Sequence, residues 1–164
     1  MTANMTGEAA KKPYDARNLQ NAAARLKAAQ AVFEHFHTQK PLNEIAKYYI
    51  ENRLDMTSDG TPDGEDMVVA NKALFAKITS GVDARTEDVQ SLIVGAQSKQ
   101  NNLDKEPLLK AILFCATFEL LAHVEIDAPI ILNDYLNVTH SFFEQGEVNL
   151  VNGILVKISK TARD

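Results

Sequence analysis

Residues 108–121, LLKAILFCATFELL, decide the fold of this chain. Apolar side chains occupy nearly every position of this stretch, so a helix built from it is apolar around most of its circumference. Such a helix is stable in water only when neighbouring elements cover it on every side. Pro107 suits its first position, where the missing N–H leaves no hydrogen bond unmade. We therefore predict that this stretch forms the central, most buried helix of a helical bundle.

The segments before and after it have apolar residues at steps of three and four, which is typical of helices with one buried face. In the first segment this stripe consists of Leu19, Ala22, Leu26, Ala29, Phe33 and Phe36. The predicted helices other than the central one cover residues 19–40, 42–54, 66–78, 89–96, 129–143 and 147–160. Pro41 and Gly81 are expected to stop the first and the third of them. Seven helices and no convincing strand indicate an all-α, single-domain bundle.

Two segments lack any helical periodicity. Residues 1–15 are small and polar, and we predict that they form a flexible N-terminal arm ahead of a helical domain at 16–164. Residues 55–66 contain two Gly, one Pro and five acids, which predicts a solvated acidic loop. A calcium site in this loop is disfavoured, because the alternation of oxygen ligands with a closing Glu is absent.

The charge of the chain is distributed unevenly. The whole chain has a net charge of −5, but residues 1–40 hold six Lys or Arg against three acids, a net of +3, which leaves −8 for the remainder. An acidic average argues against a polyanionic partner for the molecule as a whole. Any contact with phosphate groups is therefore expected at the N-terminal end.

The sequence offers little material for catalysis or metal binding. Cys115 is the only cysteine and lies in an apolar run, so we expect an inert buried thiol and no disulfide within the chain. His35 and His37 are two residues apart and point to different faces of a helix, which is poor spacing for a shared metal. Gly-rich phosphate loops and nucleotide fingerprints are absent. We predict no metal, no cofactor and no enzymatic activity.

The cellular location is predicted from what the sequence lacks. It contains neither an apolar run long enough to span a bilayer nor a signal-peptide pattern at its start. A single cysteine in an apolar run gives no sign of an oxidising compartment. We place the protein in a reducing cytoplasm, with no membrane partner.

Four segments carry a pattern known from one family. They are ARLKAAQAVF (24–33), LLKAILFCATFELL (108–121), PIILNDYL (129–136) and LVNGILVKI (150–158). Within them lie an aromatic-Glu-Leu step at 118–120, a Leu-Asn-Asp step at 132–134 and a Val-Asn-Gly run at 151–153. In this order they resemble the NusB transcription antitermination family, whose corresponding steps are aromatic-Glu-Leu, Ile-Asn-Glu and Val-Asn-Gly.

The resemblance implies an all-helical domain of two packed halves that catalyses no reaction. Family members bind the boxA element of nascent ribosomal RNA transcripts, a single-stranded RNA. They do so together with a small-subunit ribosomal protein that acts as NusE, and the pair helps the RNA polymerase elongation complex to read through termination signals. Some members form homodimers that cover the RNA surface.

The resemblance also implies where RNA would bind. The family's arginine cluster in the first helix falls here on Asn21, Ala22 and Ala23, and only one of its arginines is retained. At about 100° per residue the remaining cations avoid the predicted apolar stripe and share one side of the helix. The predicted RNA-binding residues are Lys11, Lys12, Arg17, Arg25 and Lys27. The alternative is that these side chains merely solvate an exposed helix face.

In the family the ribosomal protein docks near the turn before Val-Asn-Gly. The corresponding candidates here are Glu144, Glu147, Asn149 and Leu150, whose acidity suits a basic protein. Alternatively, the two glutamates favour the start of the last helix, where negative charge meets the helix dipole. Gly153 is expected to permit close approach of another helix.

Two rival functions remain open at this stage. The arginine-poor first helix is also compatible with an RNA-independent protein-interaction module or homodimer that has lost most of its RNA contacts. The related RNA-targeting domain of some ribosomal-RNA cytosine methyltransferases is disfavoured, because the chain leaves no room for a catalytic domain.

Overall fold

The computed structural model describes residues 2–54, 68–97 and 103–163, with side chains from residue 16 onward. These ranges contain seven α-helices, a short 3-10 turn at Leu103–Lys105 and no strand. The helices are α1 (Thr2–Thr38), α2 (Leu42–Asn52), α3 (Lys72–Ala84), α4 (Thr86–Ala96), α5 (Pro107–Ala122), α6 (Ala128–Phe142) and α7 (Gln145–Ala162). The predicted all-α bundle is confirmed, and the predicted acidic loop at 55–66 lies outside the described residues.

Helix α5 is the centre of the molecule, as predicted. Every side chain from 111 to 120 is buried, and α5 contacts α1, α3, α4, α6 and α7. Pro107 stands at its first turn. The remaining helices form two halves: α1, α2 and α3 pack on one another, and α4, α6 and α7 surround α5. Contacts of α1 with α5 and α6 join the halves, so the first helix bridges both.

The buried surface of α1 differs from the predicted stripe. Arg25 and Phe36 lie three turns apart on one side of α1 and both contact α5, through Glu119 and Phe114 respectively. The side chains between them on this side, Ala28, Ala29 and Val32, are fully buried. Leu19, which was predicted to be buried, is 54% exposed. Small alanine side chains let α5 approach closely, whereas the predicted stripe weighed the larger apolar residues only.

Helix α1 also begins earlier than predicted, at Thr2. Residues 2–15, predicted to be an arm, therefore form part of α1, while their side chains lie outside the described part of the chain. The predicted flexibility of this segment stays a prediction.

Two glycine predictions are wrong, for opposite reasons. Gly81 does not stop α3, which continues to Ala84. An added Cβ at Gly81 would overlap the ring of Phe118, so the glycine is required by packing against α5. Gly153 was expected to permit close helix approach, yet a Cβ at this position would meet no atom within 4 Å among the described residues.

The end of α7 is fastened to the end of α5 by Arg163. Its guanidinium donates hydrogen bonds to the carbonyl oxygens of Leu120, Ile126 and His123, at 2.9, 2.6 and 2.8 Å. A cation at a helix C-terminus satisfies carbonyl groups that have no partner within the helix and opposes the negative end of the helix dipole. This contact holds the C-terminal turn of α5, and with it Glu119 and His123, in place. Among the described residues, no helix is long and apolar enough to cross a bilayer.

Candidate RNA interface

A buried ion-pair cluster lies where α1, α5 and α6 meet. The Nε and Nη2 atoms of Arg25 donate to the two carboxylate oxygens of Glu119 at 2.8 and 2.9 Å. Its Nη1 donates to Oδ2 of Asp134 at 2.8 Å. Arg25 is 1% exposed, and Glu119 is fully buried. Such paired, forked hydrogen bonds are among the strongest that charged side chains make.

Two further side chains complete this cluster. The Tyr135 hydroxyl donates to Oε2 of Glu119 at 2.6 Å, and Nδ1 of His123 lies 2.9 Å from Oε1. Burial raises the pKa of Glu119, but hydrogen bonds from His123, Arg25 and Tyr135 and the charge of Arg25 outweigh it, so that this pKa lies below its ordinary value. The pKa of Asp134 is raised, chiefly by burial and also by the nearby negative charge of Glu119. The hydrogen bond from Arg25 and its positive charge lower this pKa, but they do not outweigh burial.

Three of the four family-like segments meet in this cluster. Arg25 belongs to ARLKAAQAVF, Glu119 to LLKAILFCATFELL and Asp134 to PIILNDYL. These segments therefore share a structural role, the fixing of three helices against one another. One signal in the sequence pointed to it: Glu119 is a lone carboxylate in an otherwise apolar helix, and a buried charge requires a partner of opposite sign. Sequence reasoning did not draw that conclusion.

The prediction that Arg25 and Lys27 bind RNA is contradicted by their burial. Arg25 is enclosed by its two carboxylates, and Lys27 is 2% exposed. A phosphate group cannot reach either cation without opening the core. The predicted common face of Arg17, Arg25 and Lys27 placed the last two toward solvent because α1 was assigned one buried stripe. In the structure the bundle encloses α1 on more than one side.

Arg17 remains exposed, as predicted. It lies on α1 one turn before Asn21, and no ion pair of its guanidinium is found in the described part of the chain. Lys11 and Lys12 belong to α1, but their side chains lie outside the described residues, so their role in RNA binding stays a prediction.

The start of α3 brings another cation to the same part of α1, the middle of the helix. The backbone N–H of Asn71 donates to the carbonyl of Gln20 at 3.0 Å, and the Asn71 amide donates to Oδ1 of Asn21 at 2.9 Å. Asn71 also caps α3 by accepting a hydrogen bond from the backbone of Leu74. Lys72, the next residue, is exposed. Sequence reasoning missed it, because only the fold places residue 72 beside residues 20 and 21.

Asn21 also lines a polar pocket of about 510 Å³ between α1 and α6. Asn18 and Asn21 line it from α1, and Pro129, Ile130 and Asn133 line it from the first turns of α6. The Arg25–Asp134 ion pair forms its base. Arg17, Lys72 and this pocket thus surround the same part of α1, and we refer to them together as the α1 edge.

Comparison with known proteins gives a match that includes all four family-like segments. Residues 22–160 match the model of the NusB family. The chain belongs to the NusB family. It is 30% identical over 152 residues to "Transcription antitermination protein NusB" of Hyphomonas neptunium. The aligned residues make up 92% of this chain and 96% of the relative. This chain is 32% identical to the protein of the same name from Allorhizobium ampelinum, with 97% of both chains covered.

The fold agrees with a solved NusB structure. T. maritima NusB matches with a TM-score of 0.69 at 19% sequence identity, covering 88% of this chain and 93% of that one. The predicted NusB resemblance is confirmed by these matches. The NusB family model begins at residue 22, so Arg17 precedes the part of the chain that the model covers, whereas Arg25, Glu119 and Asp134 lie within it.

The second NusB-like feature predicted from sequence is the turn before α7. Glu144 and Glu147 form a reciprocal capping box, in which each side chain accepts a hydrogen bond from the backbone N–H of the other residue. Glu144 and Asn149 are exposed, while Glu147 and Leu150 are partly buried. Oδ1 of Asn149 accepts a hydrogen bond from the Gln145 amide at 2.9 Å. Glu144 and Glu147 therefore lie at the start of α7, where the alternative to docking places them, and a docking role for these four residues stays a prediction.

The remaining chemical groups give no sign of catalysis in the described part of the chain. Cys115 is buried, and this burial raises the pKa of its thiol. The negative charge of Glu119 raises the same pKa further, by a smaller amount. A thiol with a raised pKa is a poor nucleophile. Groups of three or more His, Cys, Asp or Glu that would hold a metal ion do not occur among the residues described.

Proposed function

We propose that this protein is a non-catalytic transcription antitermination factor that binds boxA-type single-stranded RNA of ribosomal RNA transcripts together with a small-subunit ribosomal protein acting as NusE. Through this pair it helps the RNA polymerase elongation complex to pass termination signals. Membership of the NusB family over residues 22–160 carries the proposal. Relatives that cover nearly the whole chain are named transcription antitermination proteins.

The α1 edge supports RNA as the ligand. Arg17 and Lys72 are exposed cations beside a pocket lined with amide groups, which suits the phosphates and base edges of a single strand. Lys11 and Lys12 would add contacts from the preceding turns of α1.

The same edge is weakly charged, which makes a partner protein necessary. Two to four phosphate contacts correspond to a salt dependence with a slope of roughly −1.5 to −3, at about −0.7 per phosphate for single strands. The rest of the molecule is acidic and adds no attraction for RNA. We therefore expect measurable affinity chiefly when the ribosomal protein is present.

An electrophoretic mobility titration tests the proposal directly. A boxA-like RNA is titrated with this protein at low salt, with and without the basic ribosomal partner. We expect a ternary complex with the partner and weaker binding without it. Absence of any shifted RNA in both conditions would contradict the proposal.

A matched pair of charge reversals separates the α1 edge from general electrostatics. Arg17→Glu changes the net charge by the same amount as Lys47→Glu, and Lys47 is exposed on α2, outside the α1 edge. We expect Arg17→Glu to weaken RNA binding and to reduce the salt slope by about 0.7 or more, and Lys47→Glu to change both little. Equal effects of the two variants would show that RNA does not bind at Arg17.

The ribosomal partner is proposed to dock at the turn before α7, on Glu144, Glu147, Asn149 and Leu150. Glu144→Ser removes a charge but retains a side chain that caps helices well. Ser at this position and Glu147 three residues later also keep the spacing of a capping box. We expect weaker partner binding in calorimetric titration at an unchanged melting temperature. Unchanged partner affinity would confine Glu144 to its capping role.

The burial of Arg25 and Lys27 favours one alternative function, an RNA-independent interaction module or homodimer. In that case Arg17→Glu leaves every assembly of the protein intact. Under the main proposal it removes the RNA-dependent assembly only, so the same variant discriminates between the two.

A further inference from the structure

We infer that the pocket between α1 and α6 holds a single nucleobase of the bound strand, and that its side-chain amides and Asp134 select a base with an exocyclic amino group over uracil. This inference rests on the proposed function and deepens it, because it gives the arginine-poor α1 edge a second means of recognition. The volume of about 510 Å³ lies in the range of roughly 300–1,000 Å³ that small-molecule pockets occupy.

The amides of the pocket have hydrogen-bonding capacity to offer. Asn18 and Asn133 are exposed, and their side chains make no hydrogen bond within the described residues. The Asn21 amide uses its oxygen to accept from Asn71, which leaves its NH2 group available. An amide presents a donor and an acceptor side by side, the arrangement that pairs with the edge of a base.

Asp134 supplies the selectivity. Its Oδ2 accepts from Arg25, while its other oxygen has no partner among the described residues. The side chain is 18% exposed and lines the pocket. A carboxylate oxygen accepts a hydrogen bond from the amino group of cytosine or adenine, whereas uracil presents a carbonyl oxygen at the equivalent position and is repelled.

Arg25 makes this carboxylate a fixed acceptor. The guanidinium is held by Glu119 in a forked contact, and its third hydrogen bond fixes Oδ2 of Asp134. The base of the pocket is thus prepared before a ligand arrives, which reduces the entropy lost on binding. Pro129 and Ile130, the latter 45% exposed, offer an apolar wall to the face of the base.

The position of the pocket fits a strand whose phosphates stay outside. Arg17 lies one turn before Asn21 on α1, and Lys72 is held beside residues 20 and 21 by Asn71. A phosphate bound by these cations places the attached nucleotide within reach of the pocket, with its base turned toward α6. Sequence-specific recognition of RNA commonly uses such unstacked bases.

Two asparagine variants of α6 provide the test. Asn133→Ala removes a pocket amide, and Asn137→Ala removes an exposed amide one turn further along the same helix, outside the pocket. Both are compared with the unaltered protein by fluorescence anisotropy, with the ribosomal partner present, on a boxA-like RNA and on copies in which each A, C or G is replaced singly by U. Circular dichroism establishes that both variants are folded.

We expect Asn133→Ala to weaken RNA binding about fivefold to hundredfold, which corresponds to the loss of one bidentate amide–base pair. Asn137→Ala should change it less than about twofold, as is usual for surface substitutions away from a contact. One uracil replacement should weaken binding by the unaltered protein much more than binding by Asn133→Ala, because a base without the Asn133 contact is no longer held against Asp134.

Four results would overturn the inference. Equal affinities of the Asn133 and Asn137 variants, or equal tolerance of uracil at every position, would show that the pocket holds no base, while the proposed function would stand. Weaker binding of Asn133→Ala to the ribosomal protein in the absence of RNA would identify a protein contact instead. Absence of RNA binding by the unaltered protein would overturn the proposed function together with the inference.

Discussion

At the scale of the residue, Arg25 joins α1 to both α5 and α6. Its guanidinium donates to carboxylates from two other helices inside the core, so α1, α5 and α6 are fixed at one point. Replacing such a cluster with apolar side chains can be neutral, but removing one partner leaves an uncompensated charge in a medium of low polarity. The stability of the protein therefore depends on Arg25 and Glu119 being present together.

We predict that Arg25→Ala lowers the free energy of unfolding by about 3–5 kcal/mol, because Glu119 and Asp134 lose their cation. The matched control is Arg85→Ala, which removes the exposed pair Arg85–Asp88. That change should cost about 0.5 kcal/mol or less. Urea unfolding measures both, and similar losses for the two variants would contradict a structural role for Arg25.

Acid titration gives a second residue-scale prediction. The pKa of Glu119 is lowered from 4.5, so its ionised form contributes stability that is present above pH 4.5 and is lost as the pH falls through the lower folded-state pKa. Asp134 acts in the opposite direction, since its pKa is raised from 3.8. The stability difference between the unaltered protein and Glu119→Gln should therefore be full at neutral pH and shrink in acid. A difference that is constant or grows below pH 4.5 would show that Glu119 is not stabilised as a carboxylate.

The charged cluster marks a limit of reading residues one at a time. Glu119 stood out in sequence as a lone charge in an apolar helix, but two of its partners, Arg25 and Tyr135, lie 94 and 16 residues away along the chain. Arg25 looked like a surface cation because family members have several arginines near it. Only the crossing of α1 over α5 and α6 shows that this particular arginine points inward.

At the scale of the element, the helices follow from local patterns while the faces they bury do not. The all-round apolar α5 and the buried positions of α2, namely Leu42, Ile45, Ala46 and Tyr49, are as predicted. Helix α1 is different, because it touches both halves of the bundle and is buried on more than one side. A stripe counted from large apolar residues misses alanine faces that allow close packing.

Alanine substitutions at Gly81 and Gly153, which both lie within helices, are predicted to change the free energy of unfolding in opposite directions. Gly81→Ala should lower the free energy of unfolding by about 1–3 kcal/mol, because a methyl group enters the space of the Phe118 ring. Gly153→Ala should raise it by about 0.5–1 kcal/mol, because alanine favours the helix and its methyl group meets open space. Thermal unfolding of the two variants measures both values. Destabilisation of the isolated protein by Gly153→Ala would refute the open surface found there.

At the scale of the whole molecule, the chain is an acidic bundle with a small cationic edge. The net charge is −5, and of the cations predicted to bind RNA, two are buried in the core. The exposure of Arg17 could be predicted from sequence, whereas Lys72 and the amide pocket lie beside it only because α3 and α6 begin next to α1. A weak edge of this kind makes the proposed RNA complex depend on its protein partner and on salt.

Arg25 is proposed to support the fold, and Arg17 is proposed to contact the RNA. The most direct test is one titration of boxA-like RNA with the ribosomal partner, using the unaltered protein, Arg17→Glu and Arg25→Lys, at a temperature where circular dichroism shows each to be folded. Lysine keeps the charge of Arg25 but loses the forked geometry that its carboxylates need. We expect Arg17→Glu to melt normally and to lose RNA affinity, while Arg25→Lys melts at a lower temperature and loses less RNA affinity, because Arg25 acts on the strand only through Asp134. Unchanged RNA affinity in Arg17→Glu, together with a large loss of RNA affinity in Arg25→Lys, would contradict this assignment.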